Sequence, residues 1–297
     1  MIESGILVMD KPQDFTSFDV IGKLRGILHM RKLGHTGTLD PMATGVLPVL
    51  IGTAARAADI LPDDSKRYTA EFQFGKVTDT QDVTGTVLSE SDKPVAEADI
   101  LAVLPQFTGD IMQIPPMYSA VQVNGKRLYE LARAGKEVER EPRPVHIERL
   151  TLLRYDAETR CGSLDICCGK GTYVRTILHD IGQVTGAGCI MTALRRTEAC
   201  GFTEADAHTF ETVQRAADTE TLESLVIPTD RLFTKYPALR LGEAQSRMYA
   251  NGVKLSLDRL RHLTKQDIYR VYGADGRFFG LAQTDREAGL LRVYKNL

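Results

Sequence analysis

Apolar and polar positions along this chain follow two periods, and glycine, proline and threonine separate the segments they mark. Residues 5–9 are an apolar run ended by the turn-forming Asp10-Lys11-Pro12, which predicts a short strand. Thr16-Ser17 can cap a helix to about His29, with Phe18, Ile21, Leu24 and Leu28 as its apolar side. A Gly/Thr-rich loop over 34–45 leads to an apolar strand over 46–51, and Thr53 opens an Ala-rich helix to Leu61. Strict alternation over 66–75 puts Tyr68, Ala70, Phe72 and Phe74 on one face of a strand and Thr69, Glu71 and Gln73 on the other. Helices are expected over 97–107 and 126–134. Strands over 147–155 and 161–168 flank the turn Ala157-Glu158-Thr159. A helix over 171–185 and a returning strand over 189–200 complete this part.

Residues 204–223 are acidic and helical in character, without a long apolar face. From Tyr236 onward short strands alternate with turn signals at Asn251-Gly252, Gly273-Ala274-Asp275-Gly276 and Gly280, which predicts a compact β-rich barrel. The larger part lacks regular βαβ alternation, so the fold class is α+β, with a mixed, largely antiparallel sheet flanked by helices. The domain boundary is placed near residue 230, giving 1–230 and 236–297.

Composition changes this picture little until it is divided along the chain. Hydrophobic residues are 43% and charged residues 26% of the 297, ordinary for a soluble globular protein. Net charge is −2, yet the residues from Arg231 to Leu297 hold thirteen Lys or Arg against six Asp or Glu. That module carries +7 and the remainder −9, an asymmetry suited to meeting a polyanion. Smaller basic clusters stand at Lys23, Arg25, Arg31 and Lys32, at Lys126, Arg127, Arg133 and Lys136, and at Arg195 and Arg196. The five cysteines (161, 167, 168, 189 and 200) show no CxxC spacing, and an odd number argues against a disulfide framework; they read as reduced thiols of a cytoplasmic protein. No basic, apolar leader opens the chain, and no uncharged apolar run approaches the ~20 residues of a membrane-spanning helix.

The chemistry concentrates in Gly34-His35-Thr36-Gly37-Thr38-Leu39-Asp40-Pro41-Met42-Ala43-Thr44-Gly45. Three glycines and a proline impose an irregular backbone that lets a ligand approach closely. Asp40 is the one acidic residue there. It lacks the second carboxylate of most glycosidases and the neighbours of a metal site, which leaves a nucleophile or a base on an adjacent carbon. Asp before Pro is also a common turn cap, so the loop by itself leaves both readings open.

GHTGTLDPMATGVLPVLIG resembles the catalytic-aspartate motif of the bacterial tRNA pseudouridine-55 synthases. Further blocks match in the same order: residues 5–12 with Thr16-Ser17, KRY at 66–68, PPMYSAV at 115–121, GKRLYELAR at 125–133, KGTYVRT at 170–176 and LRR at 194–196. The tail from Tyr236 resembles, less specifically, the RNA-binding PUA barrel. Three positions depart from the pattern: Asp14 where Gly is more usual, Gln122 where Lys is frequent, and Glu198 in place of a basic residue.

The resemblance implies an isomerase that breaks the bond from ribose to uracil N1, turns the base and rejoins it through C5. Substrate and product are isomers, so no cofactor or metal is implied, and no phosphate-loop or dinucleotide fingerprint is present. Asp40 would be the catalytic group, either adding to C1′ or removing a proton at C2′, with Arg175 as its charge partner. Arg175 also has a physical argument: a cation in the first turn of its helix opposes the dipole and calls for an acidic partner. Tyr68 would belong to the catalytic set with Asp40 and Arg175 and stack on uracil, Tyr173 and Leu194 would line the base pocket, and His35 would fill the space an extruded base leaves. Lys11-Pro12 would support the loop without taking part in catalysis. The implied partner is the TΨC stem-loop of tRNA, with no membrane, no obligate protein partner, and a monomer expected. An RNA-binding protein without catalysis and an N-glycosidase that releases free uracil are the competing readings.

Overall fold

The computed structural model describes residues 2–261 and 263–297. Strand β1 (Ser4–Lys11) buries the whole apolar run Gly5–Met9. Helix α1 (Ser17–Leu28) starts at Thr16, whose hydroxyl accepts the Asp19 N–H while the Asp19 carboxylate accepts the Thr16 N–H. This reciprocal cap satisfies two donors that a helix start leaves unpaired. The helix buries Ser17, Val20, Ile21 and Leu24 and ends at His29 in left-handed conformation. Phe18, expected on the apolar side, is instead 68% exposed, beside the Arg25 guanidinium. The buried stripe lies one residue further round the helix than the aromatic ring suggests.

Strands β2 (Leu33–His35) and β3 (Thr44–Gly52) bracket the Gly/Thr-rich loop. The alanine run after them makes only a 3₁₀ turn, Thr53–Ala57, whose start at Gly52 has no side-chain cap. Without a cap, one turn of packing does not offset the cost of nucleating a longer helix. Strand β4 (Lys66–Phe74) keeps the alternation, with Tyr68, Ala70, Phe72 and Phe74 buried. A hairpin of β5 (Lys76–Thr78) and β6 (Val87–Glu90) carries a Thr- and Asp-rich turn. Helix α2 (Glu97–Val103) runs into a 3₁₀ turn ending at Phe107, and β7 (Gly109–Gln113) comes next. The segment read as a helix from residue 126 begins as a two-strand hairpin, β8 (Gln122–Val123) with β9 (Lys126–Arg127), before α3 (Leu128–Arg133). After it stand β10 (Arg143–Asp156), β11 (Cys161–Cys168), α4 (Val174–Thr185), β12 (Cys189–Ala199), β13 (Phe202–Thr203) and α5 (Phe210–Asp218).

Nine of these strands form one sheet in the order β1-β3-β12-β4-β11-β10-β7, with β2 added on β3 and β13 on β12. All pairings are antiparallel except β3 with β12, so the sheet is mixed and largely antiparallel. Its main core joins Tyr68, Phe72, Ile166, Ile177, Leu178 and Leu194, so α4 packs on the face that carries Tyr68. Helix α5, expected to lack a long apolar face, buries Phe210, Val213 and Ala216. Its Phe210 ring meets Phe15 at 5.5 Å, and the Lys23 ammonium lies 4.1 Å from the same ring.

A second sheet comprises β14 (Ala238–Arg240), β15 (Leu255–Ser256), β16 (Ile268–Tyr272), β17 (Phe278–Asp285) and β18 (Leu290–Asn296), in the order β14-β16-β17-β18-β15. It is a curled half-barrel, and helix α6 (Glu243–Ala250) lies within it, packing Tyr249 among Leu239, Tyr269 and Leu291. Leu281 and Phe233 belong to one apolar cluster with Ile6, Val8 and Leu50 of the large sheet. The ion pairs Lys235–Asp63 and Lys295–Asp59, each at 3.1 Å, also join the two parts, so two of the tail's cations are engaged there. No helix among the described residues is long and apolar enough to cross a membrane.

Candidate active site

Asp40 sits between two residues that are each tied down. On one side Leu39 donates its N–H to Ser17 Oγ at 2.8 Å, and the Ser17 hydroxyl donates back to the Leu39 carbonyl at 3.3 Å. On the other, the Pro41 carbonyl accepts from Lys11 Nζ at 3.1 Å and from the Asp14 N–H at 2.9 Å. Leu39 and Ala43 are buried in the main core. The loop therefore owes its shape to tethers at both flanks, and a carboxylate so held needs little reorganisation to act. Asp14 has φ 65°, the left-handed geometry that Asp tolerates in place of the more usual glycine. Gly45, at φ 102°, is required where the loop meets β12, because a Cβ there would overlap the Arg196 carbonyl.

Lys11 is fully enclosed and also donates to the carbonyls of Pro12 and Phe15. Burial brings its ammonium down to about 8, although the nearby Asp40 carboxylate works in the opposite direction. Its partners are backbone carbonyls of the turn and the loop, which makes it a structural tie.

Arg175 stands in the first turn of α4, 6% exposed. Its Nη2 donates to Asp40 Oδ1 at 3.1 Å, lies 3.1 Å from Oδ2, and donates to the Tyr118 carbonyl at 2.9 Å. Nη1 lies 3.9 Å from the Asp82 carboxylate. One buried cation thus faces two carboxylates, which answers its unfavourable place at a helix start. A third of the Asp40 side chain reaches solvent and the rest is enclosed. That enclosure pushes the carboxyl above the usual carboxylate range, with Asp82 adding to it. Arg175 and Lys11 oppose the rise without cancelling it. The guanidinium therefore limits the upward shift without reversing it.

Tyr68 projects from β4 into the main core, with burial raising its phenol to about 12 and the Arg196 guanidinium pulling the other way. Leu194 is buried in the same cluster, one strand over. Tyr173 precedes α4, and its ring centroid lies 6.0 Å from the Arg175 guanidinium carbon. His35 occupies the end of β2, where burial and Arg196 lower its imidazole below the ordinary range. Its Nδ1 is enclosed and has no hydrogen-bond partner among the described residues.

Other contributors to the site stand outside the motifs. Asp82 is buried and accepts from Thr80 Oγ1 at 2.7 Å, from the Thr84 N–H at 2.9 Å and from the Thr84 hydroxyl at 2.5 Å. Sequence reasoning missed it, and the signal for it was the Thr/Asp/Gly-rich run at 78–86. Arg195 and Arg196, read as a basic cluster able to meet RNA, are otherwise engaged. Arg195 is paired to Asp10 and Glu204, and Arg196 is wholly buried, donating to the carbonyls of Val46 at 2.7 Å and Gly37 at 3.2 Å. All five cysteines are free thiols, three of them buried. No three His, Cys, Asp or Glu side chains among the described residues come together as a metal-ligand set.

The chain that builds this braced loop and mixed sheet has counterparts among known proteins. Residues 25–174 match the model of the TruB family pseudouridylate synthase N-terminal domain, and residues 175–234 match the tRNA pseudouridylate synthase B C-terminal domain. The chain belongs to the TruB family of pseudouridylate synthases. Relatives called tRNA pseudouridine synthase B include one from Pseudomonas fluorescens, 43% identical over 96% of this chain and 92% of the relative. Another, from Clostridium tetani, is 39% identical over 96% of each. A solved Cbf5-Nop10-Gar1 complex contains a chain that superposes with a TM-score of 0.75 at 23% identity, covering 99% of this chain and 85% of that one. The architecture is accordingly the pseudouridine synthase fold, with a PUA-like half-barrel at its C-terminal end. As a TruB-family tRNA pseudouridine synthase the protein is an isomerase that turns uridine in tRNA into pseudouridine.

Proposed function

We propose that the uridine is the one at position 55 in the TΨC loop, and that Asp40 is the group that reacts with it. The observation that carries this reading is the Asp40–Arg175 ion pair at 3.1 Å, on a loop tethered at Leu39 and Pro41 and partly open to solvent. A carboxylate so placed can add to C1′ or take a proton from C2′, and both routes need it ionised. Asp82, itself buried, lies 3.9 Å from the other terminal nitrogen of the guanidinium and helps to hold Arg175 in place. A base stacked inside an RNA loop must leave the stack to present its sugar bond, at a cost of a few kcal/mol. Tyr68, Tyr173 and Leu194 form the receiving pocket in this reading, and His35 enters the space vacated.

The division of labour follows the two sheets: residues 1–230 perform the isomerisation, and residues 236–297 hold another part of the tRNA through phosphate contacts. The enzyme works as a monomer without a cofactor. Mapping the modified nucleotide in treated, unmodified tRNA tests the substrate assignment, and a site outside the TΨC loop overturns it. Asp40→Asn keeps the shape of the side chain and removes its charge. It is expected to bind tRNA with affinity close to the parent's and to form no pseudouridine; appreciable turnover by this variant removes Asp40 from the reaction.

A further inference from the structure

Helix α4 begins without a capping side chain of its own, because its N-cap position is held by Tyr173. The third residue of the helix, Thr176, gives its hydroxyl to Gln81 Oε1 at 2.7 Å and does not reach back to the Tyr173 N–H. In a capping box that backward bond comes from a Glu or Gln at the third helical position. Here it comes from a different part of the chain. Gln113, the last residue of β7, accepts the Tyr173 N–H on Oε1 at 2.8 Å and donates Nε2 to the Tyr173 carbonyl at 3.1 Å. Its side chain is buried, and its amide meets one residue's main chain as a partner strand would.

The segment after Gln113 holds the same helix start at a second point. Ile114 leads to Pro115-Pro116, two residues with no N–H and a fixed φ, and then to Tyr118, whose carbonyl accepts from Arg175 Nη2 at 2.9 Å. Pro115, Pro116 and Met117 are buried. The stretch from 113 to 118 therefore grips the start of α4 at both ends, at the Tyr173 main chain and at the Arg175 guanidinium. Neither grip involves the Asp40 carboxylate itself.

We propose that Gln113 is a positioning residue for the isomerisation: its side-chain amide substitutes in trans for a helix cap and sets Tyr173 and Arg175 against Asp40. The inference rests on the reading that Tyr173 and Arg175 serve the reacting nucleotide. An apolar side chain of the same size would fill the space but leave the half-buried Tyr173 N–H without its partner. The first turn of α4 would then shift to find a partner, and a displacement of about 1 Å near the reacting group can cost 10²-fold in rate. Binding of tRNA as a whole, spread over a surface far larger than this turn, does not depend on that register.

The test measures single-turnover pseudouridine formation on unmodified tRNA, alongside tRNA affinity, for the full-length wild type, Gln113→Met and Gln113→Glu. Gln113→Met should lose about 10- to 100-fold in rate with affinity within about twofold. Gln113→Glu keeps the acceptor and loses the donor while ionised; once protonated it regains an O–H for the Tyr173 carbonyl. Its rate, divided by that of wild type at the same pH, should rise as the pH falls. A general structural defect would not produce that recovery. A wild-type rate for Gln113→Met, a loss of affinity equal to the loss of rate, or a pH-independent ratio for Gln113→Glu would each overturn the proposal. Should Gln113→Met fail to fold, the pH ratio of Gln113→Glu decides. Failure of the underlying reading is seen separately, as wild-type rates in Asp40→Asn and Arg175→Gln under the same conditions.

Discussion

Replacing Arg175 with Gln removes the single cation standing between two enclosed carboxylates. In the native protein Nη2 serves Asp40 at 3.1 Å and the Tyr118 carbonyl at 2.9 Å, while Nη1 faces Asp82 at 3.9 Å. Breaking a buried ion pair by removing one partner costs about 3–5 kcal/mol. Asp40 keeps a third of its side chain in solvent, so the lower end of that range is the better guide. That is a loss of folding stability of about 3 kcal/mol, read by urea unfolding; the rate at neutral pH falls separately, by the share of Asp40 that the variant leaves protonated. The sign of the pH effect follows from the same geometry. Enclosure already raises the Asp40 carboxyl, Asp82 adds to it, and Arg175 is the main force in the opposite direction. The ionised form is the active one, so the wild-type rate should fall on acidification at a pH above that of an ordinary carboxylate. In Arg175→Gln that fall should move to higher pH still, with part of the lost rate recovered in alkaline buffer. Single-turnover rates across pH, with saturating tRNA, separate ionisation from binding. A variant curve that superposes on the wild type, or that is lowered equally at every pH, would refute the claim that Arg175 acts by keeping Asp40 charged.

Ser17 and Phe18 are neighbours with opposite expectations. Ser17→Ala leaves the buried Leu39 N–H unpaired and should cost about 1–3 kcal/mol in urea unfolding, whereas Phe18→Ala, at a ring 68% exposed, should change stability by about 0.5 kcal/mol or less. Burial raises Asp180 to about 6, so the folded state holds its proton more tightly than the unfolded chain and is penalised above that pH. Asp180→Asn should therefore stabilise the protein by about 1–2 kcal/mol at neutral pH, with the gain shrinking as the pH falls below about 6 and gone near the ordinary carboxylate value of about 4; an equal gain at all pH values would contradict this. In the tail, Lys254, Arg261 and Lys265 are exposed, and replacing all three with Gln should weaken tRNA binding and flatten its dependence on log salt by about 0.7–0.9 per lost phosphate contact. An unchanged salt slope would move RNA binding elsewhere.

Which parts of this molecule could be read from its sequence depends on the range of the forces involved. β4 was legible because period two is a property of neighbours: Tyr68, Ala70, Phe72 and Phe74 face one core whatever strands flank them. The loop of Asp40 was legible because glycine permits backbone that other residues avoid and proline fixes its own φ, both properties of the residues themselves. Phe18 was misplaced because a helix stripe can be shifted by one residue at little local cost, and only the packing partners decide. The contacts that brace the site depend on no local pattern. Ser17 meets Leu39 across 22 positions, Gln113 meets Tyr173 across 60, and Arg175 meets Asp40 across 135. A glutamine at a strand end looks like a surface residue until the fold supplies its partner, and the place of Arg175 at a helix start signals an acidic partner without saying which. The tail shows the same limit at the scale of domains. Its turn signals announced a separate module, but Leu281 and Phe233 share one apolar cluster with Ile6, Val8 and Leu50. Cutting at residue 236 would strip part of the cover from that cluster, confounding lost RNA contacts with a damaged catalytic core. Changing exposed charges leaves the shared packing intact, which is why the salt slope of such variants isolates the tail's role and truncation does not.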